Sequence, residues 1–469
     1  MVVHSKKSPF YAYFCDGKGI LPQKNGRKMR KIVTAVLMAA MVTVVARAQQ
    51  ISGTWNGQLD LQVMKLNLVF HFDGGCSLDS PDQGAKGIAG EVKEISEQRV
   101  DVAFPSIGAG FSGDLKDGKI VGTFRQMGRE MPLTLSRGEL VKNRPQTPRP
   151  PYPYETREVT FKNDDANATL AGTLTLPANF ETLKKRPVVL MVTGSGLQNR
   201  DEELFDHKPF AVIADYLARR GIASLRYDDR GFGQSTGDVA NATTADFAQD
   251  AESGIRFLRS MNFSEKNGKK TREKPMFSKV GILGHSEGGS VAFMLGARQA
   301  VDFIVALAAP GIKGDTLLVE QTNALLQLSG QPAKMTLKQM RLTMAMQETN
   351  PWYDFFTEYD PADDIKATKC PVFALNGSLD KQVLPESNLN AIYNLQSTIY
   401  NSKPNTQHLT PNTQHLTPNT QHPTIKLYPG LNHLFQHATT GATTEYSTIE
   451  ETISEEVLRD IAEWIGNLQ

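Results

Sequence analysis

The run Lys279-Val280-Gly281-Ile282-Leu283-Gly284-His285-Ser286-Glu287-Gly288-Gly289 carries an apolar segment into a serine that has glycines two residues before it and two after it. A serine in this G-x-S-x-G setting is placed to act as a nucleophile. It sits on a strand-to-helix turn so sharp that a Cβ at either flanking position would strike the neighbouring strand or helix, and Gly284 and Gly288 carry none. The chemistry implied is acyl transfer, with the Ser286 hydroxyl attacking a carbonyl carbon. The small residues from Ser290 to Ala297 predict a helix that packs closely on a sheet, with an amide at its start able to face a developing oxyanion.

A serine hydroxyl is a weak nucleophile at neutral pH and needs a base within reach, itself oriented by a carboxylate. The chain has nine histidines. His4 lies in the presequence, and His71 is a lone histidine in a strand pattern, more often structural than a ligand. Strand alternation points His285 away from the serine, and His408, His415 and His422 belong to a short repeat. His207, His433 and His437 remain. On an elbow of this kind the chain order is serine, acid, histidine, which removes His207. The turn Tyr428-Pro429-Gly430-Leu431-Asn432-His433 follows an apolar strand pattern and makes His433 the base, with His437 as the reserve. The stretch Val372 to Val383 supplies a strand, a tight turn and a carboxylate, so Asp380 is the acid; Asp363 and Asp364 precede that strand.

The elements that must hold these residues can be read around them. Buried strands are predicted at 188–192, 222–227, 280–283, 303–308, 372–375 and 425–428, alternating with helical patterns such as the one capped by Thr243-Thr244-Ala245-Asp246. That rhythm argues for a mostly parallel sheet covered on both faces. Residues 312–360 interrupt it with Leu-, Met- and Gln-rich helices ending in Asn350-Pro351-Trp352-Tyr353-Asp354-Phe355-Phe356, which read either as a lid over an acyl pocket or as ordinary core. Residues 405–424 repeat Asn-Thr-Gln-His-Leu-Thr-Pro almost three times without core-forming periodicity and are expected as a surface loop, not a metal cluster.

Ahead of this domain, residues 49–140 alternate apolar and polar positions in short runs separated by glycine turns, Gly113 to Gly118 reading as a hairpin connection, and predict a small antiparallel barrel or sandwich. A proline-rich stretch, 141–155, reads as a semi-rigid linker. Residues 1–48 are a presequence: Arg27 to Lys31 precede the apolar run Ile32 to Val45 and Ala46-Arg47-Ala48, the layout of a cleavable signal over 29–48. Export to a periplasm or the medium is therefore expected, with no membrane span after signal removal.

Four blocks stand in order: Thr193-Gly194-Ser195-Gly196-Leu197-Gln198-Asn199-Arg200-Asp201, Tyr227-Asp228-Asp229-Arg230-Gly231-Phe232-Gly233-Gln234-Ser235, Gly284-His285-Ser286-Glu287-Gly288-Gly289, and the Asp380 and His433 turns. With them residues 156–469 resemble the α/β-hydrolase superfamily, particularly secreted bacterial carboxylesterases of the dienelactone-hydrolase and prolyl-oligopeptidase-like branch. The resemblance implies an α/β-hydrolase fold with a helical lid-like insertion at 312–360. It implies Ser286 as nucleophile, His433 as base and Asp380 as orienter. It also implies an oxyanion hole from the Glu287 amide and one amide of the Gly194 to Leu197 loop, with Ser195 favoured over Gly196 and Leu197. Asp229-Arg230-Gly231 is similar to the family's structural turn and receives no chemistry. The repeat departs from the pattern by stretching the Asp380 to His433 interval, but both turns stay intact.

Composition narrows the alternatives. With 51 basic and 50 acidic side chains there is no electrostatic case for a nucleic-acid partner or an anionic surface. Cys15, Cys76 and Cys370 have no disulfide-framework or zinc-ligand spacing. The expectation is a hydrolase of small-molecule carboxylic esters, short-chain acyl esters in particular, that works without cofactor or metal. A peptidase or acyl-thioesterase on the same scaffold is the alternative, and a non-catalytic envelope-binding protein is a third reading.

Overall fold

The computed structural model describes residues 51–61, 65–83, 85–140, 143–267, 270–331, 334–346, 349–398 and 423–468. The signal segment and the three repeat histidines lie outside the described residues. The chain divides into two units, residues 1–140 and 141–469.

In the first unit, the alternating pattern folds as eight strands: β1 (Thr54–Asp60), β2 (Lys65–His71), β3 (Cys76–Ser80), β4 (Ala85–Ile95), β5 (Arg99–Phe104), β6 (Ala109–Lys116), β7 (Lys119–Gln126) and β8 (Arg129–Arg137). Each pairs antiparallel with the next, and β8 returns to pair with β1, so of the two architectures expected the chain forms the closed barrel. The inward positions hold Trp55, Phe70, Val100, Val102, Phe104, Phe111, Ile120 and Leu135, all buried, so the barrel is filled by its own side chains. Gly113 and Gly122 face each other across β6 and β7, where a Cβ on Gly122 would fall 2.2 Å from the Ser112 carbonyl oxygen. The connection read as Gly113 to Gly118 is shorter in the structure. Strand β6 runs to Lys116, and only Asp117 and Gly118 turn, at φ 50° and 76°, the signature of a two-residue hairpin.

The second unit contains β9 (Glu155–Asn163), β10 (Ala168–Leu176), β11 (Pro187–Val192), α1 (Pro209–Ala218), β12 (Ala223–Tyr227), α2 (Thr244–Ser260), β13 (Asn262–Asn267), β14 (Lys270–Pro275), β15 (Lys279–His285), α3 (Glu287–Ala297) and β16 (Ile304–Leu307). Four helices follow: α4 (Gly314–Leu328), α5 (Leu337–Ala345), α6 (Pro351–Glu358) and α7 (Ala362–Ala367); then come β17 (Val372–Gly377), α8 (Pro385–Thr398), β18 (Thr424–Tyr428) and α9 (Glu455–Gly466). The sheet order is β18-β17-β16-β15-β11-β12-β10-β9. It is parallel from β18 to β12 and antiparallel at β10 and β9.

Strand β11 shows why these strands read as unbroken apolar runs. Val188, Leu190 and Val192 pack on one face with Ala251 and Ile255 of α2 and Phe293 of α3, whereas Val189 and Met191 pack on the other with Phe210 of α1 and Ile461 of α9. Both faces are covered, so polar alternation has no place. The Asp246 carboxylate accepts the Thr243 backbone N–H at 2.8 Å at the start of α2, as its capping sequence predicts.

Three details depart from the sequence reading. The proline-rich segment is docked on the second unit: the buried Arg144 guanidinium donates to the carbonyls of Phe205, Ser447 and Ile449. The β13–β14 hairpin has too few apolar residues to announce itself by alternation. Strand β18 opens at Thr424, the last residue assigned to the repeat loop, because Thr424 pairs with Phe373 of β17.

Candidate active site

Ser286 joins β15 to α3 with φ 53° and ψ −120°, a conformation that costs a non-glycine residue on the order of 1–3 kcal/mol and is held by its surroundings. The Ser286 N–H donates to the Leu307 carbonyl at 2.8 Å and its carbonyl accepts from Gly289 N at 2.9 Å. A Cβ on Gly284 would sit 1.9 Å from the Gly288 oxygen, and one on Gly288 would sit 2.2 Å from the Val192 oxygen. The two flanking glycines thus let the helix start press against the end of β11. Ser286 remains half-exposed while its neighbours are buried, and among the described residues its hydroxyl has no hydrogen-bond partner.

The acid and base candidates come from adjacent turns. Asp380 follows β17 and His433 follows β18; the Leu379 N–H donates to the Leu431 carbonyl at 2.8 Å, joining the turns. The Asp380 Oδ2 atom lies 2.8 Å from His433 Nδ1, and both side chains are buried. The other oxygen, Oδ1, accepts the backbone N–H groups of Gln382 and Val383 at 2.8 and 2.9 Å. This saturation fixes the carboxylate, and with it the imidazole. The His433 turn is built around buried Asn432, whose Oδ1 accepts from Leu434 N and Gln436 N, both at 3.0 Å.

His285 corrects the sequence reading. Its ring does not stand apart from the site but packs against the His433 turn. The two imidazole centroids are 4.7 Å apart. His285 Nε2 is 3.0 Å from the His433 backbone oxygen, and Nδ1 is 2.9 Å from Glu202 Oε1. Burial alone would lower the His285 pKa, but the Glu202 carboxylate, together with the His433 carbonyl and Asp380, outweighs it and the net direction is upward.

The loop after β11 is pinned at both ends. Gly194 N donates to Glu202 Oε1 at 2.9 Å, and Gln198 N donates to Asp229 Oδ2 at 2.8 Å. The amides of Ser195, Gly196 and Leu197 between them have no acceptor among the described residues. Asp229 also accepts from the Thr193 hydroxyl at 3.0 Å. Burial pushes the Asp229 pKa up to about 8, from an ordinary carboxyl value of 3.8.

Glu287 follows the elbow serine and is 4% exposed. Its Oε1 accepts from the Thr244 hydroxyl at 2.6 Å and from Trp352 Nε1 at 2.8 Å, so α6 of the insertion touches the residue next to Ser286. Its Oε2 is buried with no partner. Elsewhere in the insertion Leu325, Leu328, Leu342 and Met346 are exposed, unlike ordinary core.

The remaining candidates are held by other partners. His437 is exposed and bonded to Glu451. His207 is buried between Thr452 and the Tyr446 carbonyl. His71, in the barrel, sits between Thr54 and Asp79. Asp363 is almost fully exposed, and Asp364 accepts from the Tyr359 hydroxyl. Cys76 and Cys370 are free thiols. Glu202, Asn432 and the role of His285 were not read from the sequence. The Arg200-Asp201-Glu202 run beside the glycine loop was the available signal for Glu202.

A family model described as "Serine aminopeptidase, S33" matches residues 207–383, which include Ser286 and Asp380 and end before His433. The esterase EstD of Thermotoga maritima is 25% identical over 245 residues, covering 50% of this chain and 54% of that protein, so the match spans about half of the relative's length. Among solved structures, the Pyrococcus furiosus esterase Pf2001 aligns over 67% of this chain and 91% of its own at 16% identity and TM-score 0.42. Est1E from Butyrivibrio proteoclasticus, with ferulic acid bound, aligns over 66% and 99% at 15% identity and TM-score 0.39. Sheet order and elbow are those of an α/β-hydrolase fold, and over residues 207–383 the chain is similar to serine hydrolases of that fold.

Proposed function

We propose that the protein hydrolyses carboxylic esters of small molecules, short-chain acyl esters in particular, through an acyl-enzyme on Ser286. The observation that carries this reading is the Asp380–His433 couple, with one carboxylate oxygen saturated by backbone amides and the other on His433 Nδ1, its imidazole 4.7 Å from that of His285, the chain neighbour of the strained, half-exposed Ser286. His433 Nε2 takes the Ser286 proton as the hydroxyl attacks the acyl carbon and returns it to the leaving alcohol; a water, deprotonated by the same nitrogen, then releases the acid. The amides of Glu287 and Ser195 bind the oxyanion, with Gly196 and Leu197 the other amides of that loop able to serve. The esterase relative supports this choice of substrate class. Action outside the cytoplasm, after removal of residues 29–48 with the signal, belongs to the same proposal.

A peptidase reading has one specific observation in its favour. Glu287 Oε2 is a buried, unpartnered carboxylate oxygen one residue from Ser286, and a peptide's α-ammonium would satisfy it; the family model is also named for an aminopeptidase. Steady-state kinetics on aryl esters of graded acyl length, beside aminoacyl anilides and acyl-thioesters, separates these activities. Phosphonate labelling with mass spectrometry tests the mechanism: Ser286 carries the label, and Ser286→Ala loses turnover by several orders of magnitude. A label elsewhere, or an active Ser286→Ala, overturns it.

A further inference from the structure

Glu202 is an unusual place for a carboxylate. It is 4% exposed and its backbone lies at φ 53°, in the left-handed region that a glutamate occupies only when its surroundings hold it there. A single oxygen, Oε1, takes two bonds of different origin. One comes from Gly194 N, at the root of the loop that carries the free amides; the other involves Nδ1 of His285, at the end of the strand that carries Ser286. His285 passes the connection on through Nε2 to the His433 backbone oxygen.

The hydrogen-bond chemistry of that path has a definite requirement. Both ring nitrogens of His285 face acceptors, a carboxylate oxygen and a carbonyl oxygen, so both must donate, and only an imidazolium has two N–H groups. The anionic Glu202 beside it makes that cation tolerable in a buried position. Removing the anion while keeping the shape would leave a neutral imidazole, and one of its two bonds would be lost.

We propose that Glu202 is a positioning residue for the reaction, one oxygen of which holds the oxyanion loop through Gly194 and, through a doubly protonated His285, the turn that carries His433. The inference rests on the Ser286–His433–Asp380 reading. It adds a second histidine–carboxylate couple whose work is alignment: it touches no substrate and sets the distance between the loop amides, the serine and the base. A misalignment near 1 Å at such a site costs about 100-fold in rate.

The test uses the full chain with 15N-labelled histidine, the His285 signals being assigned by their loss in His285→Asn. In the wild-type protein at pH 7 both His285 nitrogens carry protons. In Glu202→Gln, which keeps an oxygen for Gly194 N, one proton is absent, kcat for an aryl ester falls about 100-fold with KM little changed, and Ser286 is still labelled by the phosphonate, more slowly. The double variant Glu202→Gln/His285→Asn is no slower than the worse single one. If Glu202→Gln does not fold, His285→Asn supplies the kinetic arm, with the same loss expected. A neutral His285 in the wild-type protein, or wild-type kcat in either single variant, overturns the proposal. A phosphonate label on a residue other than Ser286 overturns the triad instead, and the protonation state of His285 remains decisive for the brace by itself.

Discussion

Substituting alanine for Gly288 tests the elbow directly. The added Cβ would lie 2.2 Å from the Val192 oxygen and 2.6 Å from the Thr193 oxygen, and neither is a side chain that can swing aside. Real Cβ atoms stay beyond 3.0 Å of such atoms, so the start of α3 and the end of β11 must separate by at least 0.8 Å. Ser286 stands on one of these elements and the Ser195 loop leaves the other. The separation therefore opens the gap across which a tetrahedral intermediate would be held. Forcing a methyl into so tight a contact costs about 1–3 kcal/mol of stability, and a displacement approaching 1 Å costs about 100-fold in kcat. The assay is ester turnover at saturating substrate alongside urea unfolding, with Gly466→Ala as control, since a Cβ there meets nothing within 4 Å. The control should match the wild-type protein. A Gly288→Ala protein with unchanged kcat and unchanged unfolding midpoint would refute the claim that backbone contact at this glycine sets the elbow.

Two further outcomes follow from named groups. Asn432→Ala strips the buried amides of Leu434 and Gln436 of their acceptor, so unfolding free energy should fall by about 1–3 kcal/mol per orphaned amide and ester turnover should fall with it; unchanged values for both would show that the His433 turn holds itself. Asp229 keeps its proton up to about pH 8 in the fold and loses it near 3.8 when unfolded, so its stabilising contribution is fully present below 3.8 and is lost as pH rises towards 8. Urea unfolding of Asp229→Asn across that range should show a shallower loss of stability with rising pH than the wild-type protein, and an identical slope would contradict a proton held on Asp229.

The elbow was legible because backbone sterics allow few residues around Ser286, and the two glycines record that demand locally. The Asp380 and His433 turns were legible for a related reason, each following a short apolar run with a turn sequence behind it. His285 shows where local reading stops. Period-two alternation says nothing of what its ring meets, and the answer is a turn 148 residues further on. Glu202 is likewise fixed by a partner 83 residues away, a relation that no window of sequence contains. The β13–β14 hairpin escaped because charged strands carry no alternation signal, and the start of β18 escaped because a repeat obscured it.

The hydrogen bonds that gather the site span 53, 83 and 148 residues along the chain, which gives the protein a property of its own in time. No helix or hairpin can bring these three pairs together in isolation, since each of these bonds closes a long loop and non-local contacts are slow to form. Catalytic competence is then a property of the completed sheet, and a partly folded chain, however much native secondary structure it holds, lacks the means to hydrolyse what it meets.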